Sequence, residues 1–389
     1  MTETEKYVEL LVDTSTSWGS GLIEGIAQYA RKVGGWRLGV APAGRSEQLH
    51  LHPDWVGDGI IARVSNARIA EEILACGAPA VNVSCYDHGL PQIPQCTANE
   101  QIVGEMAAAH LMDRGLRHFA YYGPSDRPGY SDKPGDVFVQ TIRAQGFDCH
   151  TTHRIPEELE QRTRRGSFDT KLLAWLKKLP KPVGLFTWSD VEGLRITGAC
   201  RAAGVRVPEE VAVLCGEQDD LMSMVSQPTL SSIDTAPTRI GYEAAAMLDG
   251  MMRGEMPESS TRLVPPNTVI SMGSTDTLAV PDEVVAKSLR YIRANLKSSF
   301  GVEQLCQAIG VSRRSLEVRF QKELRRSPAA EIRRCRIQQA KQLILSTDWP
   351  LNQIGEACGY DYPETFSRAF KRESGQTPNQ FRVIARTRA

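Results

Sequence analysis

Polar and aromatic side chains gather where apolar runs end: Asp13 with Ser15, Ser17 and Trp18, Asn82 with Ser84, Asn99, the Tyr121 to Tyr130 stretch, Trp188 with Asp190, and Glu217 with Gln218 and Asp219. Carboxylates and amides hydrogen-bond vicinal hydroxyls, and an indole or phenol covers the apolar face of a sugar ring. Asp13, Trp18, Asn99, Asp190 and Glu217 are therefore the candidate ligand-binding set. The competing reading is that these are helix caps and ordinary loop polars, and Asp190 in particular sits where an N-cap would. Near the other end, Arg313, Arg314, Glu317 and Val318 fall on one side of a short amphipathic segment, as do Glu364, Ser367, Arg368 and Lys371. Arginine suits a bidentate contact with guanine, glutamate accepts from cytosine N4, and valine meets a thymine methyl. That is the chemistry of reading DNA.

No catalytic constellation accompanies these groups. The chain contains no Gly-x-Gly-x-x-Gly, no Walker loop, no Gly-x-Ser-x-Gly and no His-Glu-x-x-His. The seven histidines are scattered, with His50 and His52 close together but lacking partners. The nine cysteines form no Cys-x-x-Cys pair and read as small reduced core residues. No catalytic residue, metal ligand or cofactor is expected.

The elements that must position the two sets differ in kind. Over residues 7–270, short apolar strands alternate with helical patterns, which predicts parallel sheets covered on both faces. Strands are expected at Tyr7–Val12, Trp36–Ala41, Gly59–Val64, Ala80–Ser84, His118–Gly123, Val183–Trp188, Val211–Cys215, Leu230–Ile233 and Arg262–Ile270. So many units exceed one compact sheet, so two lobes are predicted, with crossovers near 100, 235 and 260 and a ligand cleft at the strand ends. A linker is expected at 271–281.

Residues 282–389 instead contain one two-helix pattern twice. Val302 to Ser312 is answered by Leu351 to Asp361, and Leu316, Phe320 and Pro328 by Phe366, Phe370 and Pro378. The glycines Gly310 and Gly359 lie 49 residues apart and the prolines 50 apart. A short apolar helix, a glycine turn and a second amphipathic helix make a helix-turn-helix, here at 302–324 and 351–373. The helix 328–345 between them would set their spacing. Charge agrees: residues 281–389 carry 20 Lys/Arg against 11 Asp/Glu, in a chain whose total is 46 of each. A cationic end on an anionic body suits phosphate contacts confined to that end. Arg372, Gln380 and Arg382 are expected to contact phosphate or to be merely solvated.

Residues 282–389 resemble the tandem helix-turn-helix domain of the arabinose/xylose-regulator (AraC/XylS) class of bacterial transcription factors. The resemblance runs through Ile309 to Ser312, Leu316, Arg319, Phe320, Pro328, Ile354, Cys358 to Tyr360, Phe366, Phe370, Lys371, Thr377, Pro378, Phe381 and Arg382. Residues 7–270 resemble the two-lobed sugar-sensing domain of lactose-repressor-type (LacI/GalR) regulators, which is shared with periplasmic binding proteins. Val205 to Pro208, Pro228 to Ile233 and Thr238 to Gly241 carry that likeness. The resemblance implies a transcription activator controlled by a pentose, D-xylose or a relative of it. It places Asp13 and Trp18 in the cleft opposite Asp190 and Glu217. Three positions depart from the pattern: Glu217 for a shorter Asp, Ala98 for an Asp, and Pro134 where an Arg commonly binds a hydroxyl. They leave open an orphan regulator whose sensor takes a non-pentose ligand or none.

The implied partners are double-stranded DNA, a small sugar effector, a second copy of the chain in a homodimer and, for an activator, RNA polymerase. No stretch of ~20 apolar residues is present, and the first residues lack a basic region leading into an apolar core. A cytoplasmic, nucleoid-associated protein is expected, with no membrane partner.

Overall fold

The computed structural model describes residues 5–44, 49–86, 90, 92–124, 132–154, 170–257, 259–277, 282–324, 326–347 and 349–387. It divides into two compact units, one of residues 1–109 and 118–276 and one of residues 110–117 and 277–388.

The first unit is α/β. Its strands are β1 (Lys6–Leu11), β2 (Trp36–Val40), β3 (Gly59–Ala62), β4 (Ala80–Asn82), β5 (Gln95–Ala98), β6 (His118–Gly123), β7 (Cys149–His153), β8 (Val183–Thr187), β9 (Val211–Cys215), β10 (Ser231–Asp234), β11 (Thr261–Val264) and β12 (Thr268–Ile270). They form two six-stranded sheets, ordered β11-β5-β4-β3-β1-β2 and β12-β10-β9-β8-β6-β7. Every pairing is parallel except β10 with β12. Each sheet is the centre of one lobe. The central strands β3, β8 and β9 are buried throughout, which explains their unbroken apolar runs.

The chain passes between the lobes after β5, after β10 and between β11 and β12. Hydrogen bonds tie these crossings together: Asn99 N–H donates to Val264 O (2.7 Å), and Asn267 N–H to Asp234 O (2.9 Å). The single strand expected at 262–270 is two strands, one per lobe. Pro265 and Pro266 explain the break, since neither can donate to a ladder. Two strands escaped the periodicity altogether. β5 is only four residues long, and β7 is a largely exposed edge strand of polar residues. Part of the expected linker is packed into the second lobe: Ser274 Oγ donates to Val213 O (2.6 Å) and accepts from Ser231 N–H (2.8 Å). Residues 278–281 and Tyr130 lie outside the described residues.

The second unit is all-α. Helix Glu283–Ala294 leads into two helix-turn-helix pairs, Val302–Ile309 with Arg313–Leu324 and Leu351–Ala357 with Pro363–Ser374. The first pair packs Leu305, Leu316, Phe320 and Leu324 around Val285, Leu289 and Ile292. The second packs Ile354, Cys358, Phe366 and Phe370 together. Helix Pro328–Ser346 contributes Ile332 to the first core and Ile337, Ala340 and Ile344 to the second. Its 19 residues span ~28 Å at 1.5 Å per residue. Arg336, on that helix, donates to Ser298 O (2.8 Å) and Phe300 O (3.0 Å). The same guanidinium lies over the rings of Phe300 and Tyr360, so one buried cation joins the two halves. No helix among the described residues is long and apolar enough to cross a membrane.

Candidate effector cavity and candidate DNA interface

The strand-end loops of the two lobes enclose a cavity of about 120 Å³. Asp13 enters it from the loop after β1, where Thr16 caps helix Ser17–Val33 by accepting from Gly19 N–H (3.0 Å). That turn depends on glycine: a Cβ at Gly19 would stand 1.7 Å from Asp13 O. Arg63, just past β3, reaches Asp13 with Nη1 to Oδ2 at 2.5 Å. Burial works against the Arg63 charge, but Asp13 and then Glu217 outweigh it, and its pKa is raised.

Asp190 and Glu217 come from the other lobe, after β8 and β9. The Asp190 Oδ2 accepts from Asp219 N–H (2.9 Å), and the Cys215 thiol is the other group that faces this buried carboxyl. Ser189 Oγ is buried with no hydrogen-bond partner among the described residues. Burial, with Glu217 and Asp219 adding to it, raises the Asp190 pKa to about 7. Glu100, the first residue of helix Glu100–Met112, also lines the cavity, and burial together with Asp132 raises it to about 7 against the pull of Lys133. A hydrogen bond crosses between the lobes from Asp220 N–H to Ser17 Oγ (3.0 Å).

Four of the five expected ligand residues, Asp13, Trp18, Asp190 and Glu217, line this cavity. Asn99 does not. Its Oδ1 accepts from Ile102 N–H (3.3 Å) and caps the helix that follows. Asn82 is also occupied within the protein, its Oδ1 accepting from Val64 N–H and Ser84 N–H and its amide donating to Tyr86 O. Arg63, Tyr86, Thr97, Glu100 and Ser189 were missed, although each stands at a strand end like those that were found. Ala98 and Pro134, the departures noted in the sequence, both face the cavity.

Five carboxyl groups (Asp13, Glu100, Asp190, Glu217, Asp219) thus meet one guanidinium, already engaged by Asp13, with the indoles of Trp18 and Trp188 alongside. Such a wall accepts hydrogen bonds from a neutral, hydroxyl-rich ligand and repels an anion. Among the described residues no group of His, Cys, Asp and Glu could hold a metal ion.

In the second unit, all eight nominated side chains on Arg313–Leu324 and Pro363–Ser374 are exposed, Val318 to 63%. They are not equally available. Arg313 Nε is bound to Glu317 Oε1 (3.0 Å), so those two occupy each other. Arg314 makes no hydrogen bond or ion pair among the described residues. Two presumed phosphate contacts have structural duties instead. Gln380 Oε1 accepts from Thr377 N–H (2.9 Å) at the start of helix Pro378–Thr387, and Arg382 Nη2 donates to Trp349 O (2.7 Å).

Comparison with known proteins agrees with both halves. A model of a periplasmic binding protein-like domain matches residues 108–275, and a model of a helix-turn-helix domain matches 305–383. The chain is 28% identical to the xylose operon regulatory protein of Haemophilus influenzae, over 98% of this chain and all of that one. It is 27% identical to the protein of that name from Escherichia coli K12, over 97% of each. A solved structure of a xylose-binding transcription activator superposes with TM-score 0.62 at 25% identity, covering 99% of both chains. A periplasmic binding protein/LacI transcriptional regulator from Alkaliphilus metalliredigens, complexed with D-xylulofuranose, shares the fold of the body. Its TM-score is 0.53 at 16% identity, over 70% of this chain and all of that one.

These matches correct the assignment to the arabinose/xylose-regulator class. That assignment rested on residues 282–389, whose matching model is of a helix-turn-helix domain without further class. The larger part of the chain instead has the fold shared by LacI-type regulators and periplasmic binding proteins.

Proposed function

We propose that the protein is a sugar-responsive transcription regulator whose effector, a neutral pentose of the D-xylose type, binds in the cavity between the lobes and changes how the helix-turn-helix pair engages DNA. The observation that carries this reading is the cavity wall: acceptor-rich, flanked by two indoles, and set at the strand ends of a two-lobed sensor fold. The full-length relatives named for xylose operon regulation support the pentose. Similarity to a solved xylose-binding transcription activator supports activation; RNA polymerase as a further partner and a homodimer as the working form complete this reading. In this reading Asp13, Arg63, Asp190 and Glu217 bind hydroxyls and Trp18 covers the ring.

Titration calorimetry of the full-length protein against D-xylose, D-xylulose, other pentoses and polyols tests the effector. Heat with a pentose that disappears in Arg63→Ala is expected. Heat with none of them would favour the orphan regulator, which Ala98 and Pro134 in the cavity wall keep in view.

Base reading falls to Arg314, Val318, Glu364, Ser367, Arg368 and Lys371, and to Arg313 and Glu317 where their mutual pair opens. Arg314→Ala is expected to weaken a selected duplex by about 1–3 kcal/mol while hardly changing affinity for random sequence. Arg372→Ala, if it touches phosphate, lowers both alike and reduces the salt slope by about 1. Fluorescence anisotropy over a salt series separates the two outcomes.

A further inference from the structure

The acceptor-rich wall of the cavity changes character at one corner. Glu100 and Val103 stand three residues apart on one face of the helix that begins at Glu100, and both line the cavity. Pro134 is brought against the same turn because Gly104 has no side chain: a Cβ there would lie 2.6 Å from Pro134 O. Ala98, two residues before Glu100, lines the cavity as well. Glu100 is therefore a carboxyl set among Ala98, Val103 and Pro134, none of which has a polar side-chain atom.

Nothing in the protein occupies that carboxyl. The cap of its helix is supplied by Asn99, whose Oδ1 accepts from Ile102 N–H. Glu100 itself makes no side-chain hydrogen bond or ion pair among the described residues. Burial raises its pKa to about 7, with Lys133 opposing the rise and Asp132 adding to it. An apolar setting can keep a carboxylic acid neutral near pH 7 so that it donates a hydrogen bond.

The two protonation states offer a ligand different chemistry. A carboxylate only accepts, whereas the acid donates through its O–H and accepts through its carbonyl oxygen. The acid thus matches two adjacent hydroxyls, giving to the oxygen of one and taking the proton of the other. An ionised Glu100 would lose the donor and add a charge to an apolar corner.

We infer that Glu100 is a specificity-determining residue of the effector site, engaging a vicinal diol of a neutral sugar as the protonated acid and releasing it on ionising. This rests on the sugar reading of the cavity. Effector binding then selects the protonated form, so the contribution of Glu100 to affinity is present below about pH 7 and lost above it. Other groups in the wall bear on the same titration. Lys133 and Asp132 act from the start of helix Lys133–Ala144, and Cys85 and Tyr86 from the loop after β4. Across the cavity stand the Arg63–Asp13 pair, Asp190, Glu217 and Asp219.

The test is titration calorimetry of full-length wild type, Glu100→Gln and Glu100→Ala with D-xylose and the other pentoses at pH 6 and pH 8. Glutamine keeps a donor and an acceptor at both pH values, and alanine keeps neither. The ratio of the wild-type to the Glu100→Gln dissociation constant is expected to rise about tenfold from pH 6 to pH 8. Asp190 titrates over the same range but is present in both proteins, so the ratio isolates Glu100. The advantage of wild type over Glu100→Ala, about tenfold at pH 6, is expected to vanish at pH 8, so either variant alone can decide the matter. Pentose binding with the same pH profile in all three proteins would overturn the role of Glu100 and leave the sugar reading standing. A wild type silent to every pentose at both pH values would sink the two together.

Discussion

Replacing Gly359 by alanine is expected to cost the DNA-reading unit about 3 kcal/mol, while the same change at its repeat partner Gly310 costs about 1 kcal/mol. Both glycines end a positioning helix with left-handed backbone, φ 76° at Gly310 and φ 73° at Gly359. Each alanine therefore meets the same conformational penalty. The surroundings decide the rest. A Cβ at Gly310 would have nothing within 4 Å, whereas one at Gly359 would lie 2.7 Å from Ser298 O and 2.8 Å from Leu296 O. Those are backbone atoms, and Ser298 O is already held by Arg336. Neither can swing aside as the end of a side chain would, so the seam between the two helix-turn-helix halves must open. Against a net stability of 5–15 kcal/mol for a typical domain, about 3 kcal/mol is a large fraction. DNA affinity should fall in Gly359→Ala, with effector calorimetry unchanged because the cavity lies in the other compact unit. Thermal melts and anisotropy of both variants check this. Equal losses at the two positions would refute the argument.

That contrast marks where the sequence is informative and where it is silent. The duplication was legible because helix-turn-helix geometry is local: Gly310 with Leu316 and Phe320, and Gly359 with Phe366 and Phe370, keep the spacing a turn and an amphipathic helix demand. The crowding at Gly359 comes from residues some sixty positions upstream, which no local pattern records. The cavity divides the same way. Asp13, Trp18, Asp190 and Glu217 could be nominated because strand-end loops converge in any two-lobed parallel fold. Arg63 was hidden as one charge inside an expected strand, Gly59–Val64, although it stands just past the end of the actual one. Asn99 looked identical to a ligand residue, because a side chain that caps a helix and one that binds a hydroxyl carry the same oxygen. Only the hydrogen bond to Ile102 N–H distinguishes them.

A trade between stability and binding is expected at Asp190. In the unfolded chain its carboxyl titrates near 3.8, and in the folded protein burial moves it to about 7. Between those values the native state keeps a proton that the unfolded chain has released, so stability falls as pH rises and the loss is complete above about pH 7. At about 1.36 kcal/mol per unit, the full cost is about 4 kcal/mol. Asp190→Asn keeps the shape and can still accept from Asp219 N–H, but it cannot become charged. The variant should match wild type below pH 4 and exceed it by up to about 4 kcal/mol at pH 8. A shallower slope from Glu100, which shares the cavity and the same direction of shift, remains in both proteins. Effector binding should move the other way. If Asp190 accepts from a ligand hydroxyl, losing a charged hydrogen bond of about 1.5–3 kcal/mol weakens affinity roughly tenfold to a hundredfold. Thermal melts of both proteins from pH 4 to 8, paired with calorimetry at pH 8, check the two halves together. Parallel melting curves would show that the carboxylate is solvated in the folded state, and an unchanged affinity would remove Asp190 from the binding set. A stabilised protein that no longer senses its sugar is the outcome that follows if a buried acceptor is retained there for the ligand, at the expense of the fold.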